Sequence, residues 1–90
     1  MRYWGPEVAK AIALRLQQLR AAECLADLRH APGRFHELKA TRSGQFAAEL
    51  PHGQRLILRP EGDNIFKPDG GFDWQQVTTV LILVVVDYHD

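Results

Sequence analysis

The sequence predicts an α+β domain in which an N-terminal helical hairpin packs on a small antiparallel sheet. Two observations carry this expectation. Apolar residues recur at helical spacing only in the first third of the chain, and from Phe35 onward short runs alternate at period two between Gly- and Pro-containing turns. Helices first and strands afterwards means segregated layers rather than alternating βαβ units.

The helical part is expected over residues 1–31. Pro6 suits a first helical turn, where its missing N–H costs nothing, and Glu7 suits the positive end of the helix dipole. Val8, Ile12, Leu16 and Leu19 then form one apolar stripe, with Lys10, Arg15, Gln17, Gln18 and Arg20 mostly outside it. A break near Ala21-Ala22-Glu23 precedes a second arm carrying Cys24, Leu25 and Leu28, which Pro32-Gly33 stops. Strands and a hairpin are expected over 35–59. Phe35–Leu38 reads as a short strand, Thr41-Arg42-Ser43-Gly44 as a turn, and Gln45–Leu50 with Gln54–Arg59 as a hairpin around Pro51-His52-Gly53. In the second arm Gln54, Leu56 and Leu58 share one face, and Arg55, Ile57 and Arg59 the other. Residues 60–76 read as a long polar loop, a length uncommon in compact domains without a function. The segment 77–88 is apolar at both parities, which predicts a central strand buried on both faces.

Ninety residues make one domain, and 46% hydrophobic with 24% charged residues excludes a disordered chain. A single cysteine, Cys24, excludes an internal disulfide. The longest apolar run, Val80–Val86, is far too short to span a bilayer, and no signal-peptide pattern is present, so a cytoplasmic location without membrane contact is expected. The formal net charge is zero, yet residues 1–60 hold ten Lys/Arg against five Asp/Glu, and residues 61–90 hold one against six. Polyanions respond to such local clusters more than to the sum, so the asymmetry permits an RNA partner.

Three stretches, in order along the chain, resemble HigB/RelE-type toxins of type II toxin–antitoxin pairs. Phe35-His36-Glu37-Leu38-Lys39-Ala40-Thr41-Arg42-Ser43-Gly44-Gln45-Phe46 resembles the basic turn and following strand of that family. Gln54-Arg55-Leu56-Ile57-Leu58 resembles its arginine-bearing strand, and Val86-Asp87-Tyr88-His89 its C-terminal signature. The resemblance implies a RelE-like fold and a ribosome-dependent endoribonuclease that cuts messenger RNA, held silent by a helix-turn-helix antitoxin of the HigA type. Relative to that family the chain starts late. A missing first strand would leave a sheet edge unpaired, so homodimerisation through an exposed edge is a further expectation.

RNA cleavage without a metal or other cofactor needs a base for the 2′-OH, cations for the phosphorane and an acid for the leaving 5′ oxygen. Histidine is the side chain suited to either proton role at neutral pH, and His36 and His89 are the candidates. Arg55 offers a planar fork to phosphate oxygens, and Asp87 is a candidate to orient an imidazole or Arg55. Tyr88 can stack on a base. The resemblance aligns His36, Arg55, Asp87, Tyr88 and His89 with catalytic positions, and Lys39, Arg42 and Arg59 are the expected RNA-backbone contacts. Plainer readings exist: Arg55 pairing with Glu49 across the hairpin, Asp87 and Asp90 solubilising a strand end, and Trp4, Trp74 and Cys24 serving only packing. No His, Asp or Cys spacing matches a strong metal motif. Two other functions stay open, a gyrase-binding toxin of the same fold and an inactive remnant that only binds an antitoxin or dimerises.

Overall fold

Helix α1 spans Gly5–Ala21, the first element of a computed structural model that describes residues 5–87. Its apolar stripe faces the core. Val8 and Ala11 are buried, Ile12, Leu16 and Leu19 are half-buried, and Leu14 lies off the stripe and exposed. The helical hairpin expected over 1–31 has only one full arm, because after Ala21 the chain makes a single 3₁₀ turn at Leu25–Leu28. The reason is where its backbone donors go. The Leu25 N–H is committed to the Val77 carbonyl at 2.9 Å, and the Asp27 carboxylate accepts the Glu23 N–H at 2.9 Å, so an α-helix cannot continue through this point. Leu25 and Leu28 are nevertheless buried, so the turn contributes to the same core as the missing arm would.

Gly33 (φ 101°) turns the chain from this helical layer into the sheet. Its carbonyl accepts the Glu49 N–H at 2.6 Å, and the Arg15 side chain lies over it, with Nε donating to the Glu49 carbonyl at 3.1 Å. A Cβ at this position would meet Arg15 Nε at 2.5 Å. Gly33→Ala combines left-handed strain with displacement of that guanidinium, and is expected to lower stability by roughly 1–3 kcal/mol in chemical denaturation. An unchanged denaturation midpoint would show that Arg15 and the turn relax freely.

The sheet is an antiparallel meander with order β1-β2-β3-β4: β1 His36–Glu37, β2 Phe46–Glu49, β3 Gln54–Glu61 and β4 Thr79–Asp87. The α+β expectation holds, and one helix beside a four-stranded antiparallel sheet is consistent with a RelE-like arrangement. The hairpin joining β2 to β3 turns at His52 and Gly53, both at positive φ (62° and 73°). The His52 ring is anchored by Glu7 of α1 at 2.6 Å, which ties the hairpin tip to the helix start. The core lies between the helical layer and the sheet face carrying Phe46, Ala48, Leu56 and Leu58. Phe46 is its centre, 0% exposed, with the Phe72 and Trp74 rings at 5.1 and 4.9 Å between centroids.

Two expectations need correction. The segment over 77–88 is not a central strand among the described residues: β4 stands at the end of the sheet order, paired there with β3 on one side only, and Leu81–Val84 are exposed. Apolarity at both parities signals a strand that wants cover on both faces, and the described residues supply only part of that cover. Residues 60–76 are not a structureless loop. β3 continues to Glu61, and the remainder folds back on itself through a Phe66–Phe72 bridge and hydrogen bonds from Lys67 N–H to Gly71 O (2.7 Å) and Asp73 N–H to Ile65 O (2.8 Å). Ile65, Phe72 and Trp74 drive this folding by burial in the core. Among the described residues no helix is long and apolar enough to cross a membrane.

Candidate functional site

The sheet face turned away from α1 gathers most of the charged residues that the sequence singles out. Pairing puts His36 opposite Ala47, Ala47 opposite Ile57, and Ile57 opposite Val84, so these four form one row across the sheet. Glu49, Arg55 and Val86 form the next row on the same face, since side chains two positions apart along a strand point the same way. Arg59 follows on that face at the far side of Ile57. Two strand spacings and one pleat repeat separate His36 from Arg55, on the order of 12 Å between their Cβ atoms. They share a face without touching, a separation that a bound nucleotide backbone can span.

Ala47 and Ile57 are 0% exposed although they lie outside the main core, so something covers them on this side. The segment after β1 runs along this side. The Leu38 N–H bonds to the Gln45 carbonyl at 2.9 Å, and the Gln45 N–H to the Arg42 carbonyl at 3.1 Å, so residues 38–45 close into a short flap. Leu38, Lys39, Thr41 and Arg42 face Val86 and Asp87 across an open cleft of about 440 Å³. Three strand spacings, roughly 14 Å, separate β1 from β4, so the flap must cross the sheet to reach Val86. Arg42 is steadied there by Nη1 donating to Gln45 Oε1 at 3.1 Å, while Lys39 is exposed.

The remaining groups are spread over the face and its margins. The His36 Nδ1 lies 2.6 Å from the Arg34 carbonyl, which can only accept, so Nδ1 carries a proton and Nε2 is the ring nitrogen left for other partners. Arg55 lines a neighbouring cleft with Glu49, Leu50, Gly53 and Gln54. Asp87 stands opposite Gln54, one register step from the Arg55–Val86 pair, and forms one margin of the flap cleft. Arg59 is joined to Glu61 at 3.1 Å and so is partly neutralised. Tyr88 and His89 lie outside the described residues.

Three participants carry no sequence signal of their own. Arg34, at φ 47°, places its guanidinium 3.3 Å from the Glu49 carboxylate, adding a cation beside the Arg55 row. Thr41 lines the flap cleft, and the Gln54 Oε1 is buried without a hydrogen-bond partner among the described residues. On the helix side, Trp74 is buried as a packing residue, with Arg29 4.3 Å over its ring and its Nε1–H donating to Glu37 at 3.2 Å. Cys24 is half-buried. Among the described residues no group of three or more His, Cys, Asp and Glu side chains is arranged to hold a metal ion.

The arrangement is a shallow basic face with a short flap, an imidazole on the first strand and the end of β4 at one margin. Its chemistry suits a flexible polyanion better than a small molecule, which would need a deeper enclosed pocket. Comparison with protein-family models, with curated proteins and with solved structures finds no match to this chain.

Proposed function

We propose that the chain is the toxin of a type II toxin–antitoxin pair, an endoribonuclease that cuts messenger RNA on the ribosome by metal-independent acid–base chemistry. The observation that carries this reading is the cleft in which Lys39 and Arg42 meet the end of β4, beside the row that holds Arg55. In this reading Lys39 and Arg42 hold phosphates of a single strand, and Arg55 stabilises the charge that develops on the attacked phosphate. One histidine, His36 or His89, takes the 2′-OH proton as the 2′ oxygen attacks phosphorus. The P–O5′ bond breaks, and the other histidine returns a proton to the 5′ oxygen, leaving a 2′,3′-cyclic phosphate and a 5′-hydroxyl. Asp87 orients an imidazole or Arg55, Tyr88 stacks on a base, and Arg59 adds a peripheral backbone contact. The resemblance of the 35–46, 54–58 and 86–89 stretches to HigB/RelE-type toxins supports the same reading, and with it a helix-turn-helix antitoxin as the neutralising partner.

The phosphate contacts have a distinct signature. In fluorescence anisotropy with a labelled single-stranded RNA, the Lys39→Ala, Arg42→Ala double variant is expected to bind at least tenfold more weakly. The slope of log K against log salt should shrink by about 1.4, close to 0.7 for each phosphate contact removed. An unchanged slope would remove these two residues from the interface. Inhibition of DNA supercoiling by a chain that leaves RNA intact would replace the whole reading with a gyrase-binding one.

A further inference from the structure

A second cleft lies on the helix side of the sheet, away from the flap. It is open and about 240 Å³ in volume, with Phe72 and Trp74 buried in its floor and Arg29, Lys67, Asp73 and Gln75 around it. The Arg29 guanidinium lies 4.3 Å above the Trp74 ring and makes no hydrogen bond or ion pair among the described residues. Its planar fork is thus held in place by the ring with its donors unspent on protein acceptors. Phe72 carries the Phe66 ring stacked on it, 4.7 Å between centroids and 28° between planes. Phe66 is itself 58% exposed, an aromatic surface at the rim of the cleft. The bond from the Trp74 indole N–H to Glu37 sets the cleft beside β1, whose opposite face carries His36.

We propose that this cleft is a second subsite for single-stranded RNA and holds one nucleotide unit, its phosphate on Arg29 and Lys67 and its base against Phe66. The mix of groups selects a nucleotide over a bare anion. Two cations alone would suit any oxyanion, and Asp73 would repel it. A nucleotide also brings N–H donors on its base edge, which the Asp73 carboxylate and the Gln75 carboxamide are placed to accept. A cation next to an exposed aromatic ring is the pairing that holds single strands without a deep pocket. The cleft is smaller than the roughly 300–1,000 Å³ of a small-molecule site, and so suits one unit of a longer chain. The acidic residues of the C-terminal third do not oppose this. Among the described ones Asp73 alone lines the cleft, Glu61 is joined to Arg59, and Asp87 stands at the end of β4. Asp69 meets Lys67 only at 3.9 Å in a half-exposed pair, a weak contact that a phosphate can displace. A strand leaving the cleft reaches His36 by passing β1, which is two residues long and stands at the end of the sheet order. The subsite rests on the RNA reading above and lengthens the bound strand beyond the flap face.

Fluorescence anisotropy of the full chain with a labelled 2′-O-methyl RNA oligomer, which has no 2′-OH to react, tests the proposal. Arg29→Gln is expected to bind about five- to tenfold more weakly, with a slope of log K against log salt smaller by about 0.7. Phe66→Ala is expected to lose a similar factor of about five to ten with the slope unchanged, because stacking releases no counterions. Lys10→Ala, an exposed cation on α1 that lines neither cleft, should stay within about twofold of wild type. In proton–nitrogen correlation spectra the Trp74 indole signal should shift on adding the RNA, and shift less with inorganic phosphate or a glutamate-rich peptide. Unchanged affinity and slope in Arg29→Gln, a Phe66→Ala chain that binds as wild type, or a Trp74 signal that answers phosphate or the peptide but not RNA would each overturn the proposal. Should Phe66→Ala not fold, Lys67→Ala at an exposed position takes its place, and an unreduced slope there overturns the subsite. The two readings fail distinguishably. RNA binding that needs Lys39 and Arg42 but is indifferent to Arg29 and Phe66 strikes this subsite alone, and a wild-type chain that binds no RNA strikes both.

Discussion

Phe46→Ala is expected to remove a third or more of the stability of this domain. Phe46 is 0% exposed at the centre of the sheet, pairs across strands with Leu58, and holds Phe72 and Trp74 against the helical layer. Truncating a buried phenylalanine costs about 3–5 kcal/mol, and the tilted contact with Phe72 and the edge-to-face contact with Trp74 lie within that loss. A domain of this size has about 5–15 kcal/mol in total, and its core is confined to one side of the sheet. The consequence is wider than one cavity. Phe72 and Trp74 belong to the folded-back segment after β3, so losing their anchor loosens the polypeptide that leads into β4. Thermal unfolding followed by circular dichroism should show the melting temperature falling by roughly 15–30 °C. A fall of only a few degrees would mean that this aromatic cluster is not the keystone of the core. Ala47, on the opposite face of the same strand, offers a comparison, since enlargement there presses on the flap rather than on the aromatic cluster.

Arg55→Ala is expected to reduce RNA cleavage about a hundred- to a thousandfold while leaving the melting temperature within a few degrees of wild type. The magnitude is that of removing one preorganised group aimed at developing charge. The small stability effect follows from its position, half-buried on the outer face of β3 and outside the core cluster. Arg55→Lys keeps the charge but loses the planar two-pronged donor, and is expected to recover only part of the rate. His89→Ala should match the Arg55→Ala loss if His89 is one of the two proton carriers. Full cleavage by Arg55→Ala would remove Arg55 from the reaction.

The order of elements was legible because it rests on local periodicity. The stripe Val8, Ile12, Leu16 and Leu19 marks a helix whatever it packs against, and the alternation from Gln54 to Arg59 marks a strand and sorts its two faces. What local pattern does not carry is which chain, or which distant segment, meets each face. β4 reads as central because its residues demand burial, but demand does not say whether the cover is intramolecular. The second helical arm fails for a non-local reason, the commitment of the Leu25 N–H to Val77, fifty-two residues away. The segment after β3 looks like a loop from its glycines and prolines, and only tertiary burial of Ile65 and Phe72 gives it shape. The same limit applies to the site. Lys39, Arg42 and Asp87 could be named from the sequence, but their meeting across the sheet depends on a flap whose path no spacing encodes. Arg34 carries no motif at all and enters only because Gly33 turns the chain toward Glu49. His52, without a role in the sequence reading, proves to be a tether to Glu7 at a sequence separation of 45.

The claim at the centre of this account is that the basic outer face acts on messenger RNA in the ribosome. Primer extension on a translated message, after incubation with the purified chain with and without ribosomes, tests it most directly. Discrete cuts are expected only when ribosomes are translating, and they should disappear with Arg55→Ala. A folded chain that leaves the message intact under both conditions would contradict the account.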